Sequence, residues 1–157
     1  SIGRKRSSLM FGIQWDLTCK FLENKGLTQE EIKGGDGIGS TNWGNYKNSS
    51  IILTRGKYNT SPEITSSSKW LYIEQGTKNA TMLLTTGASE DVNKMNIYDF
   101  AGNVHEWTLE YTNNIDSPCT YRGGCYGDDG SSNTSYIRGK YTNNDSRGYV
   151  GFRPSLC

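Results

Sequence analysis

Residues 96–111, NIYDFAGNVHEWTLEY, are the stretch that decides the fold of this chain. They hold two short strand candidates, IYDF at 97–100 and HEWTLEY at 105–111. Clusters of Gly, Pro and Ser separate the other candidates, which are IILTR (51–55), WLYI (70–73), MLLT (82–85), TYRGG (120–124) and GYVGFR (148–153). Short strands and long loops that follow two early helices predict an α+β fold with antiparallel strands.

Two helices are predicted near the N-terminus. Between residues 7 and 26, apolar side chains recur every four residues, as on one face of a helix; they are Leu9, Ile13, Leu17 and Phe21. Ser7 or Ser8 can cap the start of this helix, and Gly26 lies where a helix commonly ends. Thr28 and Glu31 then match the capping box of a second, shorter helix, which two glycines terminate.

The length, composition and charge of the chain limit the number of domains and the kinds of partner to be expected. At 157 residues, the chain is expected to be a single domain over residues 1–157. Hydrophobic residues make up only 33%, while 19 glycines favour loops and four Trp, ten Tyr and four Phe supply core material. The net charge of +1 and the lack of a long apolar run argue against a nucleic-acid partner and against membrane contact.

The cysteines lie at positions 19, 119, 125 and 157. No C-x-x-C occurs and the chain has one histidine, so the sequence argues against zinc. Cys119 and Cys125 are close enough to bridge a short loop, but free thiols are the favoured alternative. The pairing of Cys19 and Cys157 is left open.

Residues 121–150 are polar yet rich in tyrosine. This stretch, YRGGCYGDDGSSNTSYIRGKYTNNDSRGYV, holds five of the ten tyrosines of the chain among Gly, Asn, Asp, Ser and Thr. Antibody binding loops have a similar composition, because Tyr supplies contact area and the small polar residues supply adaptable hydrogen bonds. The composition therefore indicates a recognition surface.

Three motifs in fixed order carry a family resemblance: residues 96–111, YRGGCY at 121–126 and GFRP at 151–154. They resemble the formylglycine-generating-enzyme-like (sulfatase-modifying factor) domain, a member of the C-type-lectin fold. GIQWDLTCKFLE (12–23) is similar to the first helix of that family. The resemblance implies a C-type-lectin-like fold, although His105 replaces a motif Trp and Cys125 replaces a motif Ser.

Within this family the chain is most similar to the variable proteins of diversity-generating retroelements, in which a reverse transcriptase rewrites adenine positions near the 3′ end of the gene. The resemblance implies a variable ligand-binding region over 111–149 on a scaffold whose core residues lie elsewhere. About half of the four tyrosines Tyr126, Tyr136, Tyr141 and Tyr149 should be exposed. The expected ligand contacts are Tyr126, Asp128, Asp129, Ser131, Asn133, Tyr136, Tyr141, Asn143, Asn144, Asp145, Arg147 and Tyr149.

The same resemblance argues against an enzyme. The copper-binding cysteines of the formylglycine-forming members correspond to Asp128 and Asn133, which cannot bind Cu(I) as thiolates do. We therefore expect no catalytic residues and no copper. His105, Arg122 and Arg153 are expected to be structural, and the four tryptophans to be core. A copper oxidase and a self-associating tip module are the alternatives, the first disfavoured.

A calcium site is also implied by the resemblance. The calcium ligands of formylglycine-generating enzymes match Asp99 and Glu106 through side chains, and Gly102 and Val104 through carbonyls. Calcium prefers such a mixture of oxygen ligands. The alternative is that the two carboxylates bond loop backbone without a metal.

The resemblance also suggests where the protein acts. We expect a monomeric domain, part of a longer protein on a bacterial cell surface or phage particle. Its partner would be an unknown protein or glycan bound through residues 111–149.

Overall fold

A computed structural model describes residues 7–60, 69–78, 80–142 and 147–156. The helices are α1 (Gly12–Asn24), α2 (Gln29–Lys33) and a 3₁₀ helix, Thr41–Trp43. The strands are β1 (Ser7–Leu9), β2 (Ile52–Leu53), β3 (Lys57–Asn59), β4 (Leu71–Tyr72), β5 (Gly76–Thr77), β6 (Leu83–Leu84), β7 (Asn93–Lys94), β8 (Ile97–Tyr98), β9 (His105–Tyr111), β10 (Cys119–Arg122), β11 (Arg138–Tyr141), β12 (Val150–Phe152) and β13 (Pro154–Leu156). A strand lies at each of the seven predicted places, and the α+β class is confirmed.

The main sheet has the order β11-β10-β9-β12. β10 pairs antiparallel with β9 and β11, placing Arg122 opposite Glu106. The predicted antiparallel strands are present, but β12 runs parallel to β9, with Val150 opposite His105, and is an exception to that prediction. β11 is antiparallel to β10, and β10 is antiparallel to β9, so β11 runs in the same direction as β9. β12 has this direction too, and β11 and β12 lie at opposite edges of the sheet.

The predicted start of the first helix, with Ser7 or Ser8 as its cap, is wrong. Residues 7–9 form a strand that pairs with β13, and α1 begins only at Gly12. Ile13, Leu17 and Phe21 are 65%, 60% and 41% exposed, so the predicted apolar face points to solvent.

The opposite face of α1 is buried, through Trp15, Cys19 and Leu22. The Trp15 ring stacks on Phe100 at 4.1 Å, and its indole N–H donates to the Ser135 carbonyl at 2.9 Å. Trp15 offers more contact area than Ile13, Leu17 or Phe21, so burying the face that carries Trp15 is favoured.

The second helix matches its prediction. The Thr28 hydroxyl accepts from the Glu31 N–H at 3.1 Å, and the Glu31 carboxylate accepts from the Thr28 N–H at 2.7 Å. Gly34 ends the helix with a positive φ of 84°, a conformation that glycine adopts without steric cost.

Two hydrophobic clusters form the core. One lies under the helices, formed by Trp15, Cys19, Leu22, Ile32, Trp43, Tyr46, Phe100 and Ala101. The other lies among the short strands, formed by Ile51, Leu53, Met82, Leu84, Ala88 and Val92. Trp15 and Trp43 are buried as predicted, whereas Trp70 and Trp107 are only half-buried. The Trp107 ring contacts two tyrosines of the main sheet edge-on, Tyr121 and Tyr141.

The turn at Gly102-Asn103 ties these layers together. The Asn103 side chain accepts from Asn45 and from the Leu84 N–H, both at 3.0 Å, and donates to the Leu84 carbonyl at 3.1 Å. Its own carbonyl accepts from the Tyr126 N–H at 2.9 Å. Asn103 has a positive φ of 64°, which Asn tolerates better than most residues. This turn fixes the position of β9 relative to residues 123–126.

Within the described residues, no helix combines the length and apolar character that crossing a membrane requires.

Candidate ligand-binding pocket

An open cavity of about 410 Å³ lies where the N-terminal end of β9 meets the turn after β10. Tyrosines supply much of its wall and a carboxylate lies at its floor. The lining residues are Thr60, Thr81, His105, Cys125, Tyr126, Gly127, Asp128, Tyr141 and Tyr149. A concave, partly aromatic site with a few polar groups is the usual form of a ligand pocket.

Aromatic rings pack against one another on this side of the sheet. Tyr121 stacks on Tyr141 with centroids 4.6 Å apart, and it lies 4.2 Å from the His105 ring. Tyr149 meets His105 edge-on at 5.9 Å. Trp107 contacts Tyr121 and Tyr141 edge-on at 6.4 and 6.1 Å. We call Tyr121, Tyr141 and Tyr149 the tyrosine wall. Because each ring packs on a neighbour, this wall is held in place before any ligand binds.

Arg147 lies across the rim of the pocket. Its guanidinium is 5.1 Å from the ring centre of Tyr141 and 5.7 Å from that of Tyr149, and it donates to the Tyr149 hydroxyl. Cation–π contacts of this kind hold an exposed arginine close to the tyrosine wall. Arg147 therefore lies beside Tyr141 and Tyr149, which were predicted together with it as ligand contacts.

A turn at residues 125–128 forms the floor. The Cys125 N–H donates to Asp128 Oδ2 and the Asp128 N–H donates to the Cys125 carbonyl, both at 3.0 Å. His105 Nε2 lies 3.4 Å from Asp128 Oδ2. Burial lowers the pKa of His105, although the Asp128 charge opposes this, and burial together with Asp128 raises the pKa of Cys125 to about 12. Without a bound cation, Cys125 is a protonated thiol.

The structure brings together only some of the predicted contact residues. Tyr126, Asp128, Tyr141 and Tyr149 line the pocket. Tyr136 lies elsewhere, beside the guanidinium of Arg122 and near α1. Three predicted residues fall outside the described part of the chain; they are Asn143, Asn144 and Asp145.

The polar residues after the floor turn are engaged with one another. Asp129 Oδ1 accepts from the Ser131 N–H and hydroxyl at 2.9 and 2.6 Å, and from the Asn48 amide at 3.0 Å. Asn133 donates to the Ser132 hydroxyl at 3.3 Å. Asp129, Ser131 and Asn133 thus build a loop beside the pocket, and none of them lines it.

The expected exposure of the tyrosines is corrected. Tyr126 is 5% exposed, and Tyr136, Tyr141 and Tyr149 are all half-buried. No member of this group is fully exposed. Tyr141 and Tyr149 pack on His105, and the Tyr136 ring packs beside Arg122 and Lys33.

The expected separation of core from variable region is also corrected. Thr120, Arg122, Thr134 and Ser135 lie within 111–149 and are buried. Ser135 bonds Ser40 and the Ile32 carbonyl, so this segment completes the core beneath the helices. The segment therefore combines core and surface positions.

Sequence reasoning missed several lining residues. It took His105 as a packed residue, which its burial confirms, but not as a pocket wall. Thr60 and Thr81 also line the cavity, from segments far from every motif. The sequence carries no local signal for them, since only tertiary packing brings them to the floor turn.

The free thiols are as the favoured alternative predicted. Cys19, Cys119 and Cys125 form no disulfide, which excludes the 119–125 bridge. Cys157 lies outside the described residues.

Two of the four predicted calcium residues, Asp99 and Glu106, contact Arg153, whereas Gly102 and Val104 do not bond it. This guanidinium donates to both Glu106 oxygens at 2.9 and 2.8 Å, and to the Tyr98 and Asp99 carbonyls at 3.0 and 3.3 Å. Asp99 Oδ2 accepts from the Gly87 N–H at 3.1 Å, while Oδ1 has no hydrogen-bond partner among the described residues. Burial raises the pKa of both carboxyls. The site thus fits calcium only in part, because the ion would compete with Arg153 for Glu106.

The calcium site stays a prediction with a direct test. If it binds, adding calcium to protein stripped with chelator should raise the thermal midpoint, because a ligand that binds only the folded state stabilises it. Asp99→Asn should reduce that rise. Midpoints that are identical with calcium and with chelator, measured by scanning calorimetry, would contradict the site.

Comparison with known proteins gives one match. The family model described as the sulfatase-modifying factor enzyme 1-like domain matches residues 22–155. No curated protein and no solved structure matches the chain.

Proposed function

Because this chain belongs to the sulfatase-modifying factor enzyme 1-like domain family, we propose that it is a non-enzymatic ligand-binding domain with a C-type-lectin-like fold. The observation that carries this proposal is the open, tyrosine-walled cavity at the end of β9. Residues 111–149 supply six of its nine lining residues. The segment whose composition indicates recognition therefore forms most of the pocket.

The rings suit stacking on a ligand. Tyr141 and Tyr149 are half-buried and ordered by their neighbours, so a ligand would not have to immobilise them. Aromatic and arginine side chains dominate binding energy in recognition sites, and Arg147 lies beside both rings. A sugar ring or a protein side chain could use this wall, so the partner is proposed as a protein or a glycan.

The floor of the pocket supports a binding role over copper oxidation. The positions that correspond to the copper-binding cysteines are Asp128 and Asn133, of which Asp128 bonds Cys125 and Asn133 bonds Ser132. Cys125 has no second cysteine beside it within the described residues. These contacts favour a site that holds a ligand without oxidising it.

Replacing Tyr141 tests the pocket. A panel of immobilised glycans and of displayed peptides would first identify a binder of the wild-type domain. Tyr141→Ala should then raise the dissociation constant of this binder by at least about tenfold, because the substitution removes an aromatic anchor. Isothermal titration calorimetry measures the change.

The control for this variant is Tyr111→Ala. Tyr111 lies in the same segment, is largely exposed and does not line the pocket. Its loss should leave affinity within about twofold, since a truncated residue outside the interface contributes little. Equal losses in both variants would contradict the assignment of the pocket as the binding site.

We also propose that the domain is the variable protein of a diversity-generating retroelement, monomeric and displayed on a bacterial surface or phage particle. The composition and position of residues 111–149 support this. Sequencing the flanking DNA should reveal a near-copy of the 3′ segment beside a reverse-transcriptase gene, and absence of both would refute it. A mass that rises with concentration in light scattering would favour a self-associating module instead.

A further inference from the structure

Three side chains with metal-binding atoms meet at the floor of the pocket: His105, Cys125 and Asp128. One ligand atom from each lies within 4.8 Å of the other two, and His105 Nε2 and Asp128 Oδ2 are 3.4 Å apart. No other such group of three or more His, Cys, Asp or Glu side chains occurs in the part of the chain that the structure describes.

The fold holds these side chains in place. His105 begins β9, and the pairing of β9 with β10 brings the turn at 125–128 over it. The Cys125 N–H bond to Asp128 Oδ2 orients the carboxylate toward the histidine. His105 is 5% exposed, and its Nδ1 has no hydrogen-bond partner among the described residues. The imidazole is thus buried with little to satisfy it besides Asp128.

We propose that His105, Cys125 and Asp128 bind one Zn²⁺ ion at the floor of the pocket. Zinc accepts nitrogen, sulfur and carboxylate oxygen together, whereas calcium and magnesium take oxygen ligands and Cu(I) favours soft sulfur. The fourth position faces the cavity, which all three ligands line. A bound ligand or water would complete the tetrahedron there.

The geometry needs only a small closure. Ligand atoms of a tetrahedral zinc site lie roughly 3.3–3.7 Å apart, given bond lengths of about 2.0–2.3 Å. The histidine–carboxylate pair already matches this spacing. Cys125 Sγ lies within 4.8 Å of both partners, so it would have to move by at most about 1–1.5 Å to reach this spacing. It would lose its thiol proton to solvent as the Zn–S bond forms.

The sequence carries no local sign of this site, because zinc ligands are commonly recognised as cysteines and histidines at short spacing. One histidine suffices when a cysteine and an aspartate 20 and 23 positions further along are folded against it. The inference does not depend on the proposed ligand-binding role, since it concerns the protein without any organic ligand.

Cobalt is the probe for the test. Reduced, tag-free protein stripped of metal should bind one Co²⁺ per chain and develop a thiolate-to-cobalt charge-transfer band in the near ultraviolet, which added Zn²⁺ should abolish. Cys125→Ser should remove the band; serine is the residue that the family motif carries there, so the fold should tolerate it. Asp128→Asn should weaken cobalt binding by at least about tenfold.

Cys119→Ser is the matched control, because Cys119 is a free thiol in the preceding strand and belongs to no metal-binding group. It should keep the full band. The proposal is overturned if wild type shows no saturable band, or if the band survives in Cys125→Ser. Circular dichroism of each variant establishes that it is folded. Failure here would leave the Tyr141 comparison unaffected, so the two proposals are tested separately.

Discussion

Replacing Gly102 with alanine is expected to lower the free energy of unfolding by about 4 kcal/mol or more, a size that marks a severe backbone conflict. An added Cβ would lie 2.3 Å from the Asn45 carbonyl oxygen and 2.7 Å from its carbon. Gly102 also has a φ of +70°, where a side chain adds roughly 1–2 kcal/mol. Denaturant unfolding followed by tryptophan fluorescence would measure the loss.

The Asn45 backbone cannot easily move away from that Cβ. Its N–H donates to Ala101 at 3.1 Å and its carbonyl accepts from Asn103 at 2.8 Å, so both sides of the contact are fixed. Gly127→Ala is the control, because its Cβ would meet nothing nearer than Cys125 Sγ at 3.9 Å. We expect that variant to lie within about 1 kcal/mol of wild type. Similar midpoints for the two variants would show that the turn is not rigid.

Replacing Arg122 with methionine should cost about 2–4 kcal/mol. The Arg122 guanidinium is fully buried and donates to Asp16 at 2.6 Å and to Glu110 at 3.4 Å. Removing one partner of a buried ion pair leaves the other charges uncompensated, which is more costly than losing an exposed pair. The expected value lies toward the lower end because Asp16 and Glu110 are partly exposed and keep Arg138.

Arg138→Met provides the matched comparison. Arg138 binds the same two carboxylates, at 3.1 and 2.6 Å, but its side chain is 46% exposed. Solvent screens such a pair, so we expect a cost of about 1 kcal/mol or less. If both substitutions destabilise the protein equally, burial does not set the strength of this network.

Local signals in the sequence predicted local structure. The Thr28–Glu31 capping box needs only four residues, and it forms as predicted. β9 also has its predicted bounds, because HEWTLEY is bounded by the Gly102-Asn103 turn on one side and polar residues on the other. The strand β11, which was missed, is mostly polar in sequence, and its pairing with β10 determines it.

Non-local packing decided what the sequence could not. α1 carries apolar residues on two faces, and only the stacking of Trp15 on Phe100 selects the buried one. The parallel β12 and the approach of Thr60 and Thr81 to the pocket likewise depend on contacts between distant segments. The tyrosine wall was predicted as a region, but its shape follows from ring stacking that composition does not encode.

The alternation of buried and half-buried residues along β10 limits which positions of the proposed binding segment, residues 111–149, can be substituted. Thr120 and Arg122 point into the protein while Tyr121, between them, joins the tyrosine wall. If residues 111–149 diversify as proposed, the codons for Thr120 and Arg122 would have to stay constant while the codon for Tyr121 between them could change. A combinatorial library built on this scaffold would keep Thr120, Arg122 and Ser135 fixed and randomise only outward positions, so its usable diversity is set by strand periodicity rather than by the length of the segment.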